Sequence, residues 1–108
     1  MISIDKVEAG ISQYVDKELL SDFPDNSIEK IAIGVGIAIK IKRKLMPTLK
    51  MMDLIDDKGM VDIDLVKEEF EKRIPKDGMV YENDSLNRKF TFYKEDLDKL
   101  YEYITEKG

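Results

Sequence analysis

The chain has 108 residues, of which 43% are hydrophobic and 38% charged, a formal net charge of −5, and neither cysteine nor histidine. That length suits one domain built on one core. The two missing residue types exclude a disulfide framework, thiolate or imidazole metal sites and any catalytic triad of the Ser-His or Cys-His kind, so a metal would need oxygen ligands, as calcium, magnesium or manganese accept.

Charge is unevenly distributed. Residues 1–39 hold seven acids against three bases, and residues 53–108 hold sixteen acids against ten bases. Between them Lys40, Lys42, Arg43, Lys44 and Lys50 form a basic island with no acid among them. The N-terminal MISIDKVEAG has no basic region followed by an apolar one, so a cytoplasmic location is expected.

Ile4, Val7, Ile11, Val15 and Leu19 recur at three- and four-residue steps and predict an amphipathic helix over 4–22, with Ser3 as N-cap and Phe23-Pro24 as its stop. The next stretch is unusual. From Ile31 to Ile39 no side chain is polar, and the basic island follows at once. As a strand, 31–41 would alternate Ile and Val on one face with Ala32, Gly34, Gly36 and Ala38 on the other. As a helix, it would start from a capping box over Asn26–Glu29 and end on cations that suit the backbone dipole. Twenty residues without a turn signal favour the helix, placed over 27–45. Pro47 is expected to end or kink it, with a short helical piece over 48–55.

Asp56–Gly59 reads as a turn, and a third helix follows from Asp62 or Asp64, with Val66, Phe70 and Ile74 on one face and Pro75 as stop. Lys76–Gly78 is a further turn. The alternating runs 79–82 and 89–93 predict a hairpin with Phe90 and Phe92 on its buried side. Leu97, Leu100, Tyr101 and Ile104 mark a C-terminal helix. The fold class expected is α+β, mainly helical, with about four to five helices and one short hairpin before the last of them. The helical part covers about residues 1–75, and the hairpin with its helix about 76–108.

Each candidate chemistry has a plainer rival. The apolar run is too short to span a bilayer, since Lys30 and Lys40 bracket it. Gly34-Val35-Gly36 falls short of a nucleotide fingerprint, because Ile39 stands where a third glycine belongs. The loop around Gly59 echoes a calcium-binding loop, but Leu54, Lys58 and Leu65 fall on ligand positions. Close acids such as Asp62 and Asp64, or Glu68 and Glu69, arise by chance in so acidic a half, so no catalytic residue, metal ligand, cofactor or small-molecule substrate is assigned. Three helices before a hairpin admit a winged-helix-like nucleic-acid binder using Lys40, Lys42, Arg43, Lys44 and Lys50, although the helix before the hairpin is acidic.

Helix packing accounts for more. Ala32 and Gly36 lie one turn apart, as do Gly34 and Ala38, and small residues at that spacing admit a second helix at close range. A helix apolar all round belongs inside a bundle, so 27–45 is expected to be enclosed by the other elements, with a second subunit completing the cover.

Several stretches resemble small proteins of unassigned role encoded in Firmicutes phages and prophages. They run from Val7 to Leu20 (VEAGISQYVDKELL), through the apolar segment, from Met46 to Asp57, from Gly59 to Asp64, over Phe90–Phe92 and from Asp96 to Ile104. The basic run Lys40–Lys44 stands outside the likeness. The resemblance implies a non-enzymatic accessory, structural or regulatory protein, located in the host cytoplasm or associated with the virion, and supports a helix for the apolar segment. Together with the packing pattern, it leads to the expectation of a protein–protein interaction role. The partner would be a second copy of the chain or another phage protein, met through Ala32, Gly34, Gly36 and Ala38, with the basic island as a further contact.

Overall fold

The computed structural model of this chain describes residues 1–84 and 86–106. The chain opens with a two-residue strand, β1 (Ile2–Ser3), and enters α1 (Ile4–Tyr14) at Ser3, whose hydroxyl accepts the Lys6 N–H at 3.2 Å. Val7, Gly10, Ile11 and Tyr14 are its buried face, which is the stripe read from the sequence. The helix then widens into a π-helical turn over Val15–Leu19, where the Leu20 N–H reaches back five residues to the Val15 carbonyl at 3.0 Å. Both Val15 and Leu20 are thereby carried into the core.

The apolar segment is a helix, not a strand: α2 spans Ile28–Met51. It starts one residue later than the capping box implied. Ser27 is the N-cap, accepting the Lys30 N–H at 3.1 Å, while Asn26 lies outside in the left-handed region with φ 65°. Glu29 therefore falls on the second helical position, and Lys30 on the third, where it has no acceptor to return to the cap. Nor does Pro47 end the helix or begin a separate piece. Pro47 and Arg43 both lie on the exposed side. The Arg43 carbonyl, deprived of its N–H partner by the proline, is thus left on the side open to water. The true stop is Asp53, at φ 54°, with Leu54 N–H bonded to the Leu49 carbonyl at 3.0 Å and Asp53 N–H to the Lys50 carbonyl at 3.2 Å. This is the left-handed closure usually made by glycine.

Asp56 organises the next turn: its Oδ1 accepts the N–H groups of Lys58 and Met60 at 2.9 and 2.8 Å, and Gly59 takes φ 76°. One oxygen of the Asp56 carboxylate is thus engaged by backbone. The turn delivers β2 (Met60–Val61) antiparallel to β1, pairing Ile2 with Val61 and Ser3 with Met60. Helix α3 (Ile63–Arg73) follows, capped by Asp62 Oδ1 on the Asp64 N–H at 2.9 Å. Val66, Phe70 and Ile74 are buried, as their spacing predicts. The hairpin pairs β3 (Met79–Asn83) with β4 (Arg88–Phe92), Met79 opposite Phe92 and Asn83 opposite Arg88, and its inner face buries Phe90 and Phe92. A short 3-10 turn leads into α4 (Leu97–Glu106), whose Leu97, Leu100, Tyr101 and Ile104 are buried. The architecture is α+β and mainly helical, with the hairpin before the C-terminal helix.

The core lies where α1, α3, α4, the hairpin and the second half of α2 converge. Tyr14 packs edge-on against Phe92, with ring centroids 5.2 Å apart. The expectation that α2 is enclosed fails over its first half. Apart from Lys30, every buried residue of α2 lies at Ile37 or beyond.

Helices α1 and α4 touch at Gly10, where an added Cβ would sit 2.5 Å from Ile104 Cγ1 and 2.8 Å from its Cα. Backbone cannot give way as a side-chain tip does, so Gly10→Ala forces the helices apart. The expected loss is roughly 1–3 kcal/mol, read as a lowered midpoint in thermal or urea unfolding.

Candidate interaction surface

The outward side of α2 changes character along its length. Ile28, Ile31, Val35 and Ile39 are 85%, 59%, 55% and 41% exposed, and Ala32 and Gly36 lie open between them. Their three- and four-residue steps place all six on one broad face. The opposite face of the same helix supplies Ile37, Ala38, Ile41 and Leu45 to the core. Four large exposed apolar side chains on a rigid element are what an interaction surface requires and what an isolated chain is under pressure to avoid.

The small residues expected to form one surface divide between two sides, because residues two apart on a helix point about 200° apart. Gly34 faces inward, with Leu20 Cδ1 3.3 Å from the position of a Cβ, and Ala38 is buried. Those two let the π-helical end of α1 approach α2. Ala32 and Gly36 face outward, and a Cβ on Gly36 would meet nothing within 4 Å.

Toward its C-terminal end the outward face becomes basic. Lys40, Arg43, Lys44 and Lys50 are exposed, while Lys42 is half-buried to one side. Among the described residues none of these five, nor Glu29 at the other end of the helix, takes part in an ion pair. A shallow depression of about 460 Å³ opens here, floored by Met46, Pro47 and Met51 and edged by Lys42, Arg43 and Lys50, with Glu8 across from them.

Two charged clamps hold the otherwise uncovered first half in place. Lys30, buried at the foot of α2, donates to Asp25 Oδ1 at 2.9 Å and lies 3.6 Å from Asp16 Oδ1. The Arg88 guanidinium on β4 bonds Asp22 Oδ2 at 2.8 Å and lies 4.9 Å from the ring centroids of both Phe23 and Phe90. Together they fasten the 20–27 loop, and hence the start of α2, to α1 and to the hairpin. Neither clamp was foreseen from sequence, because each joins charges on separate elements.

The buried phenols are of another kind. Burial pushes Tyr81 up to about 12 and raises Tyr14 and Tyr101 further, so all three stay neutral and pack as core. Among the described residues no three acidic side chains gather into a group able to hold a metal ion, and no helix is long and apolar enough to cross a membrane. No protein-family model matches the chain, and neither a curated protein nor a solved structure matches it.

The Lys30 clamp carries a pH signature. Its hydrogen bond to Asp25 holds the lysine above its ordinary value against the opposing effect of burial, and the same bond holds the Asp25 carboxyl below the usual range. A depressed carboxyl stabilises the fold above its unfolded pKa of about 3.9, and that contribution is lost as pH falls through the folded value. A raised lysine stabilises below about 10.4, and that contribution is lost as pH rises through its folded value. Asp25→Asn is therefore expected to melt below the parent at pH 7, with the gap closing in strong acid. A gap that persists there would mean the asparagine does harm unrelated to charge.

Proposed function

We propose that this chain is a non-enzymatic protein that works by binding other proteins, itself included, through the outward face of α2. Its setting on this reading is that of a phage or prophage accessory, structural or regulatory, in the host cytoplasm or on the virion. The exposed row Ile28, Ile31, Val35 and Ile39 on a helix clamped at its base is the observation that carries the reading. The likeness to small phage proteins supports the setting, and its stretches are caps, turns and core residues with no catalytic signature among them.

A second reading, a winged-helix-like nucleic-acid binder, draws on the exposure of Lys40, Arg43, Lys44 and Lys50 along one helix. Against it, α3, which precedes the hairpin as a reading helix would, exposes Asp64, Glu68 and Glu71. Binding to a DNA or RNA duplex at low salt, lost steeply toward physiological salt, would favour this second reading.

The interaction reading is tested by Val35→Glu combined with Ile39→Glu. Both side chains lie outside the core, so the unfolding free energy, measured at a concentration low enough for the parent to be monomeric, is expected to stay within about 0.5 kcal/mol of the parent's. Self-association measured by sedimentation is expected to weaken by at least about tenfold. A parent that stays monomeric at high concentration, or a double variant that associates as the parent does, would count against it.

A further inference from the structure

The outward face of α2 has a symmetry that the interaction reading does not by itself require. About the point between Val35 and Gly36 its residues complement one another: Ala32 lies as far before that point as Ile39 lies after it, and Glu29 lies one residue nearer to it than Arg43 does on the other side. Across the midpoint a small residue on one side is matched by a large one on the other, and an acid by a base. The acid and the base are fourteen positions apart, or about 21 Å along the axis. Glu29 and Arg43 are both exposed, and among the described residues neither has an ion-pair partner.

We propose that two copies of this chain pair through α2 in antiparallel fashion, about a two-fold axis at Val35–Gly36. The inference rests on the interaction reading above and fixes the occupant of the face as a second copy. In this arrangement Ile39 of each copy packs over Ala32 of the other, a large side chain seated on a small one at both ends of the contact. Gly36 meets Gly36 at the axis. The absence of anything within 4 Å of its missing Cβ leaves the room for two backbones to approach. Val35 meets Val35 beside it. Because a two-fold axis across antiparallel helices keeps each flank against the same flank, Glu29 of each copy faces Arg43 of the other, and the ion pair forms twice.

Charge selects this orientation over its rival. A parallel pair in register would set Lys40 against Lys40 and Arg43 against Arg43, the arrangement that like-charge repulsion disfavours. Turning one copy around lays the basic half of each α2 over the other's N-terminal end, where Glu29 is exposed and Asp25 already balances Lys30. It also opposes the two helix dipoles, which is the favourable sense. The ridge is bordered by shallow grooves, one of about 190 Å³ beside Ser12 and Gly34 and one of about 100 Å³ beside Tyr81 and Glu82. These lie where the flanks of a second helix would come to rest.

The chain contains no cysteine, so orientation can be read by cross-linking without background. Ala32→Cys and Ile39→Cys are made separately, one carrying a mass tag, then mixed and oxidised. The mixed 32-to-39 disulfide is expected to exceed either self-pair by roughly fivefold or more, because a disulfide needs Cα atoms within about 7 Å. Gly36→Leu gives an independent readout. Its Cβ meets nothing within 4 Å, so the thermal midpoint measured at a concentration where the parent is monomeric should hold, while the dissociation constant is expected to rise by at least about tenfold. Dominant self-pairs, or unchanged association of Gly36→Leu, would overturn the antiparallel pair and leave self-association standing. No cross-link in any combination, with the parent sedimenting as a monomer, would remove both.

Discussion

A helix of 24 residues is about 36 Å long, whereas α3 and α4 have 11 and 10 residues and reach less than half that distance, and α1 with its five-residue π-helical end is also shorter. Everything distinctive about this protein follows from that mismatch. Helices α1 and α3 pack on α2, whose Ile41, Leu45 and Leu49 in the second half are fully buried. Helix α4 packs on α1, and the hairpin borders one flank of the first half, with Tyr81 and Phe90 beside Ala32, Ile33 and Gly36. Nothing remains to cover the outer face of the first half. A 108-residue chain has only so much structure to spend, and here a long apolar helix stays partly uncovered.

Such a helix must be held by its base, because its outer face contributes nothing to the isolated fold. Lys30 binds two aspartates from the preceding segment, and Arg88 joins Asp22 while lying between Phe23 and Phe90. Gly34 and Ala38 let the π-helical end of α1 close on the inner side. Small residues on the same helix thus serve two ends. Those facing in permit packing within the chain, and those facing out leave a surface that another chain could meet.

Much of the fold was legible because it rests on local chemistry. The caps at Ser3 and Asp62, the turns at Gly59 and Gly78, and the buried stripes of α1, α3 and α4 all follow from residues close in sequence. The failures have physical causes. Asn26 and Ser27 are both good caps, and only the backbone decides between them. Pro47 breaks a helix where its lost hydrogen bond is buried, but it lies on the wet side. Asp53 does the work of a glycine. The strands β1 and β2 are two residues each and have no alternation to read. The surface was hidden for a related reason: with isoleucines on both faces of α2, periodicity could show that the helix was apolar but not which side the rest of the chain would reach.

Helix α2 is buried along its second half, and the pairing proposed above would cover the exposed face of its first. Hydrogen–deuterium exchange of its amides, followed residue by residue at low and high protein concentration, tests this most directly. Slow exchange is expected from Ile41 to Leu49 at every concentration, with faster exchange from Ile31 to Ile39 that slows as the protein is concentrated. Equal protection along the whole helix, indifferent to concentration, would contradict it.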